Sequence, residues 1–381
     1  MKRILIMDLG SVDLTKIRSG SLLKTIIMKV DTARGVHGVI GGASKASYQL
    51  YSELARQKGI KVDFIANFSK FTNKTGVTAD QVMGKNYDGI FLNSMKDFLL
   101  VDEYLKTHPT AKTIYTDRAN AIINRRFELG FHPRKVPINY FFSRMKKWLD
   151  CYVAITPEQM VHAREFFTSR TKISYIPIAP DKIYRKTGAK RRFNGALYVG
   201  RLDERQKKIS FLLEGIAKVK QFNPAIAEKP LLKIVGEGPD AQRYSGMVMK
   251  LGLEKNVLFR GGLYGEDLVD SYNNAGFFVS TSEWESPGRS FLEAMACGLP
   301  VLANTKNNVV INPDNAGRLI VPNYNGMVYE YGDMEDFVHK FNFMLTNRHF
   351  IERAGKVALK YSKGFSLDKT LSGYKAIIKS L

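Results

Sequence analysis

Residues Gly276–Thr305 read GFFVSTSEWESPGRSFLEAMACGLPVLANT, and this stretch sets the architecture. An apolar run, Gly276–Ser280, leads into a polar loop holding Glu283, Glu285, Pro287 and Gly288. A helical pattern then covers Ser290–Cys297, punctuated by Gly298 and Pro300, before a second apolar run at Leu299–Ala303. Two strands joined through a helix lie parallel, because a hairpin cannot connect them.

The same alternation extends in both directions. Gly195–Val199, Leu231–Val235 and Val257–Arg260 read as further strands, separated by helical patterns at Ile209–Gln221, Asp240–Leu251 and Gly265–Asn274. In the first half, Ile4–Leu9, Val62–Ala66, Gly89–Leu92, Thr113–Tyr115, Tyr152–Ile155 and Ser174–Ile178 read as strands, and Lys45–Gln57, Met95–Lys106 and Tyr140–Leu149 as helices. Asp181–Asn194 is polar and basic without apolar periodicity, and reads as a linker. The expected organisation is α/β: a doubly wound domain over 1–185, a second over 195–365, and a C-terminal helix within 366–381. That helix carries Leu371, Tyr374, Ile377, Ile378 and Leu381 on one face, and is expected to fold back across the domain junction.

Composition narrows the class. The 381 residues are 44% hydrophobic and 25% charged, which excludes a disordered or fibrous chain. The longest runs without a charged residue, Ser271–Ser282 and Ala294–Thr305, are 12 residues, too short to span a bilayer. MKRILIMDLG reaches Asp8 after four apolar residues, so it reads as a first strand and not as a signal sequence. Two distant cysteines, Cys151 and Cys297, support no disulfide framework, and a reducing cytosol is the expected compartment. Net charge is the unusual quantity. Lys+Arg total 58 against Asp+Glu 36, giving +22, of which residues 1–190 hold +16 (32 basic, 16 acidic). A polyanion or an anionic membrane surface is the expected partner of that half.

Chemistry concentrates in the opening stretch. Glu285 sits at the entrance of the helix and Glu293, eight residues on, one turn inside it. The first N–H groups of such a helix, at Gly288, Arg289 and Ser290, have no intrahelical carbonyl and point at an anion. Carboxylates beside a helix N-terminus suit a ligand bearing both hydroxyls and phosphates. A helix-entry acid and a solvated surface glutamate fit the same spacing.

The stretch resembles the Glu-x7-Glu signature of the retaining GT-B glycosyltransferases of family 4, commonly E-G-F-G-x-x-x-L-E-A-M-A-x-G-x-P-V. LEAMACGLPV, Leu292–Val301, is similar almost letter for letter, whereas Ser286, Pro287 and Arg289 depart from the pattern in the part that cradles the donor sugar. Two more segments are similar in the right order. YVGRLDERQKKISFLLEG, Tyr198–Gly215, resembles the family's V-G-R-L…K-G segment, whose basic pair maps onto Arg201 and Lys207, with Lys208 at the family's usual Gly. VGEGPDAQRYSGMVMKLGLEKNVLFRGGL, Val235–Leu263, resembles its V-G-x-G-P…N-V-x-F-x-G run. There Gly236 and Gly238 are expected to let backbone approach a ligand, and the stretch around Gly261 to hold the base. The resemblance implies that Glu293 binds ribose hydroxyls, that Glu285 contacts donor-sugar hydroxyls, and that Arg201 and Lys207 neutralise the diphosphate. Cationic groups at that place stabilise a leaving diphosphate as its charge grows.

The first half resembles the family in outline. Gly41 and Gly42, opening a helix, are similar to its first glycine loop, although the connection Leu9–Arg34 is longer. Where the family places a His, this chain has Asp117 and Arg118, read as a site at a strand end or as a surface ion pair. Arg118–Trp148 interleaves Arg125, Arg126, Arg134, Lys135, Arg144, Lys146 and Lys147 with six aromatic residues. Basic residues among aromatics suit an interfacial helix on anionic lipid or a phosphate polymer, and also a basic surface helix whose aromatics are core.

The expectation is therefore a retaining hexosyltransferase of GT-B architecture, two Rossmann-like domains facing across a cleft. It would move a sugar from a nucleotide-sugar, UDP-linked by family frequency, to a lipid-linked glycan or anionic glycopolymer of the cell envelope. It is expected to lie cytoplasmic and peripheral on the inner face of the membrane, with nucleic acid not a partner. No cofactor is expected. The six histidines are dispersed, no Asp-x-Asp is present, and fixed cations take the place of a metal. A polyanion-binding protein on an inactive GT-B scaffold and a nucleotide-sugar epimerase of the same fold are the alternatives.

Overall fold

The computed structural model of the chain describes residues 1–8, 42–66, 79–118, 138–188, 193–285, 288–307 and 319–381. They divide into two compact units, Met1–Ile178 with Asp368–Leu381, and Ala179–Leu367.

The first unit runs β1 (Lys2–Asp8), α1 (Gly42–Ala55), β2 (Ile60–Ala66), α2 (Ala79–Met83), β3 (Gly89–Leu92), α3 (Phe98–Thr107), β4 (Lys112–Thr116), α4 (Ile138–Trp148), β5 (Cys151–Ala154), α5 (Pro157–Phe166) and β6 (Lys172–Tyr175). Its strands form one sheet in the order β2-β1-β3-β4-β5-β6, parallel throughout, with Ile4 opposite Val62 and Gly89. Strands covered on both faces read as continuous apolar runs, and β3 and β5 are buried at every residue. Helix α5 begins where Thr156 and Gln159 form a reciprocal capping box ahead of Pro157. Leu5, Met7, Ile90, Leu92, Phe98, Tyr104, Tyr115 and Tyr152 build the core.

The second unit runs β7 (Ala196–Val199), α6 (Glu204–Lys207), α7 (Ile209–Phe222), β8 (Leu232–Val235), α8 (Ala241–Lys250), β9 (Val257–Phe259), α9 (Gly265–Asn274), β10 (Phe277–Val279), α10 (Arg289–Ala296), β11 (Val301–Asn304), β12 (Gly326–Tyr329), α11 (Met334–Thr346) and α12 (Arg348–Ser362). The sheet order is β12-β11-β10-β7-β8-β9. The chain works outward from β7 to β9, returns beside β7, and works outward again to β12. That is the Rossmann order, and its reversal point lies between β7 and β10, where ligands of open α/β sheets bind at the carboxyl ends of the strands. The edge strand β12 and helices α11 and α12 add to the elements read from sequence, although Phe337, Val338, Phe341 and Met344 already mark α11 at helical spacing. β12 is four residues long and opens on Gly326, leaving too short an apolar window to stand out.

Residues 181–188, read from sequence as linker, pack on the second unit. Asn273 accepts from the Thr187 amide at 2.7 Å and donates to the Arg185 carbonyl at 2.9 Å, and the Tyr184 and Tyr272 rings meet edge-on. One buried side-chain amide does there what apolar periodicity does elsewhere, so the segment leaves no hydrophobic trace in sequence.

The last helix, α13 (Leu367–Lys379), belongs to the first unit from Asp368 onward. Tyr374 packs edge-on against Phe91 of β3, Gly373 lies against Ile176, and Thr370 donates to the Pro177 carbonyl at 2.8 Å.

Candidate active site

The second unit places its functional side chains on the two loops that straddle the reversal point. After β7, the chain passes Gly200, Arg201 and Leu202 to Asp203, whose carboxylate caps the single turn α6 by accepting from the Arg205 amide. Lys208 then sits at φ +50°, joining α6 to α7. A left-handed residue here explains why a glycine suits this position in the family pattern. It also sets the register, because the kink turns Lys207 towards the β10 loop.

That loop, Ser280–Glu285, is fastened to Gln206–Lys208. Thr281 Oγ1 donates to the Lys207 carbonyl at 2.8 Å, and the Glu283 amide to the Gln206 carbonyl at 2.9 Å. Gln206 Nε2 donates to the Trp284 carbonyl at 3.0 Å. The outcome is a contact between Lys207 Nζ and Glu285 Oε1 at 2.5 Å, with the two side chains 13% and 11% exposed. Lys208 and Lys306 both pair with Glu283, holding its carboxyl below the ordinary range, Lys306 contributing most.

Glu293 is buried and not the solvated glutamate that spacing alone allowed. Its Oε1 accepts from Arg289 Nε at 3.2 Å and its Oε2 from the Tyr272 hydroxyl at 3.0 Å. Burial, then the adjacent Glu293 charge, pushes the Tyr272 hydroxyl well above its usual range, so it remains a donor. Gly288 precedes α10 at φ +66°, a conformation that a Cβ disfavours. Glu285 is buried as well. Arg201, by contrast, is 59% exposed, and its Nη2 lies 3.4 Å from Asp203 Oδ2. The buried Tyr198 hydroxyl donates to the Arg201 carbonyl at 3.1 Å and fixes the loop from below. Ser290 is half-buried in the first turn of α10.

A Cβ at Gly236 would overlap the Gly200 carbonyl, and one at Gly238 the Leu202 carbonyl. The glycines let the β8 loop pack against the β7 loop that carries Arg201. Gly261, at φ +65°, supports the same region by accepting from the Gly236 amide at 2.8 Å. Sequence reasoning passed over Tyr272, Tyr198 and the pair Asn304 and Asn307, whose amides both donate to the Ser282 carbonyl and clamp the β10 loop. Two asparagines three apart at the end of an apolar strand were the available signal, and the structure buries both fully.

In the first unit, Asp117 and Arg118 are not a surface pair. Asp117 is fully buried and accepts from the Tyr152 hydroxyl at 2.7 Å. Arg118 is buried, with Nε donating to Asn93 Oδ1 at 2.9 Å, while Asn93 donates to the Met7 carbonyl across the β1–β3 reversal point. Burial removes Arg118 from any lipid-facing surface. Arg144 lies 3.3 Å from the buried carboxylate of Asp102, which also accepts from the Trp148 indole at 2.7 Å. On α4, Phe142 and Met145 are core, with Leu149 just beyond its end, leaving Lys146 and Lys147 exposed over the Phe166 and Trp148 rings. Gly42 is the first residue of α1, whereas Gly41, the connection Leu9–Arg34, Arg125, Arg126, Ser286 and Pro287 lie outside the described residues. No helix among the described residues is long and apolar enough to cross a membrane.

Residues 181–361 match the family model described as glycosyl transferases group 1. The second unit belongs to the group 1 glycosyltransferases. Among curated relatives, the sulfoquinovosyl transferase SQD2 of Arabidopsis thaliana is 32% identical over 149 residues, covering 38% of this chain and 27% of that protein. The chain spans less than two thirds of the length of the first curated relatives that it matches. Among solved structures, a sucrose-phosphate synthase from Thermosynechococcus elongatus matches with TM-score 0.72 and 16% identity over 100% of this chain and 99% of that one. Anabaena Alr3699/HepE, solved with UDP-glucose, matches with TM-score 0.66 and 16% identity over the whole of both chains. The fold is GT-B.

Proposed function

We propose that the chain is a retaining, metal-independent glycosyltransferase, taking a hexose from a UDP-sugar to an anionic or lipid-linked glycan acceptor. The observation that carries the reading is the Lys207–Glu285 contact at the reversal point of the Rossmann-ordered sheet. One cation for phosphate and one carboxylate for sugar hydroxyls stand side by side where such sheets bind nucleotides. Lys207 and Arg201 take the diphosphate, with the N-terminus of α10 adding its dipole. Glu293 takes the ribose hydroxyls, and Glu285 orients the donor sugar. In the reaction, the bond from the anomeric carbon to the diphosphate oxygen breaks, and a bond to the acceptor oxygen forms on the same face. The acceptor proton passes to the leaving phosphate, so no protein nucleophile is used.

The UDP assignment draws support from the UDP-glucose bound by the structural neighbour HepE. The acceptor class rests on the +16 carried by residues 1–190. A hydrolysis screen over UDP-, GDP- and ADP-sugars, reading the nucleoside diphosphate released without acceptor, tests the proposal. Release from UDP-sugars is expected, and release from none of them would overturn it.

A further inference from the structure

Glu285 and the donor diphosphate, in the reading above on which this inference rests, claim the same ammonium. Lys207 Nζ lies 2.5 Å from Glu285 Oε1, and both side chains are almost withdrawn from water. In such surroundings the carboxylate neutralises most of the lysine charge, and water screens little of it. A phosphate brought to Lys207 therefore meets the negative charge of Glu285 at contact distance. The repulsion is relieved only when the carboxylate turns to another hydrogen-bond donor. A sugar hydroxyl is such a donor, and a nucleoside diphosphate without its sugar offers none at that place.

We propose that Glu285 is a counter-ion switch that sets the site to hold intact donor and to release spent nucleotide. With nucleotide-sugar bound, Glu285 engages sugar hydroxyls and leaves Lys207 to the diphosphate. Once the sugar has moved to the acceptor, Glu285 loses that partner, recaptures Lys207, and expels the nucleoside diphosphate. Arg289 and Glu293, four residues apart on α10, form a second such pair at 3.2 Å with side chains 11% and 9% exposed. The backbone leading into Glu285 is well prepared to stay in place while its side chain turns. Bonds from Thr281, Glu283 and Gln206 fasten the loop to α6, and Asn304 and Asn307 hold Ser282.

The test is calorimetric binding of bare UDP, GDP and ADP to the full chain and to Glu285→Gln, Lys207→Gln and the double variant. Glu285→Gln keeps the shape and removes the charge. It is expected to bind its preferred bare diphosphate about tenfold more tightly than the native chain, a change of about 1.4 kcal/mol. Lys207→Gln is expected to bind more weakly, and the double variant to match it, because the gain requires the lysine. Glu285→Asp, which keeps the charge but shortens the reach, serves as a second variant and should show a smaller gain. Unchanged or weaker binding in whichever folded Glu285 variant is measured, or a gain that persists without Lys207, overturns the switch and leaves the phosphate assignment standing. Binding unaffected by Lys207→Gln, or absent for all three nucleotides, overturns both.

Discussion

The hydroxyls of Thr116 and Tyr374, 258 positions apart, meet in a buried hydrogen bond of 2.9 Å. Thr116 ends β4, immediately before Asp117 and Arg118, so the C-terminal helix is pinned at the strand end where the first sheet presents its polar residues. Leu371, Tyr374, Ile377 and Ile378 are all buried. The helix is part of the first unit's core.

Losing that bond should therefore cost stability. Tyr374→Phe leaves the buried Thr116 hydroxyl without this partner, and an expected loss of about 1–3 kcal/mol follows. Urea unfolding measures it, with midpoint falling and slope unchanged. Removing 367–381 should abolish cooperative unfolding of the first unit, because four apolar side chains leave the core.

Arg201→Ala should lower turnover by about 10²–10³, the scale of losing one donor to developing negative charge. The exposure of Arg201 makes this informative: at 59% exposed it contributes little to folding, so the melting temperature should hardly move. Near-normal turnover would place the diphosphate elsewhere.

If fixed cations meet the diphosphate as proposed, transfer should survive excess EDTA. Loss of activity under EDTA with recovery on adding Mg²⁺ or Mn²⁺ would count against that arrangement.

Asp203 titrates below its ordinary 3.8, chiefly through the Arg205 side-chain hydrogen bond, with burial opposing. A carboxyl lowered on folding stabilises fully above its unfolded value and loses that contribution as pH falls through the folded one. Asp203→Asn should thus melt earlier than the native chain at pH 7. The gap should begin to narrow as pH drops below about 3.8, where the unfolded carboxyl takes up the proton, and close once pH has fallen through the lower folded value. A gap independent of pH would assign the effect to the cap alone.

The basic stretch Arg118–Trp148 calls for two separate substitutions. Replacing Arg125, Arg126, Lys146 and Lys147 by Gln should reduce co-sedimentation with anionic vesicles, since each basic residue near such a surface contributes about 1 kcal/mol. Donor hydrolysis should persist. Arg144→Gln belongs to another class: with Asp102 losing its cation, it should destabilise the fold. Binding to neutral vesicles as strong as to anionic ones would defeat the membrane reading.

Sequence alone determined the elements whose burial repeats along the chain. The apolar runs of β1, β3, β7 and β10 and the amphipathic faces of α7 and α13 declare themselves, because a strand or helix buries a face at a fixed local period. Glu285 and Glu293 also stood out, since they share one loop and the helix that follows. Tertiary structure decided which of these groups meet. Lys207 reaches Glu285 across 78 positions because the Rossmann crossover returns β10 beside β7, and no local pattern encodes that neighbour. The same holds for Arg118, basic in sequence yet buried against Asn93, and for Arg144, drawn to the buried carboxylate of Asp102. It holds for Gly236 too, where the Gly200 carbonyl leaves no room for a Cβ. Charge and conformational freedom are properties of a residue, but what they accomplish is a property of the distance to a partner, and in a parallel sheet that partner lies a whole crossover away.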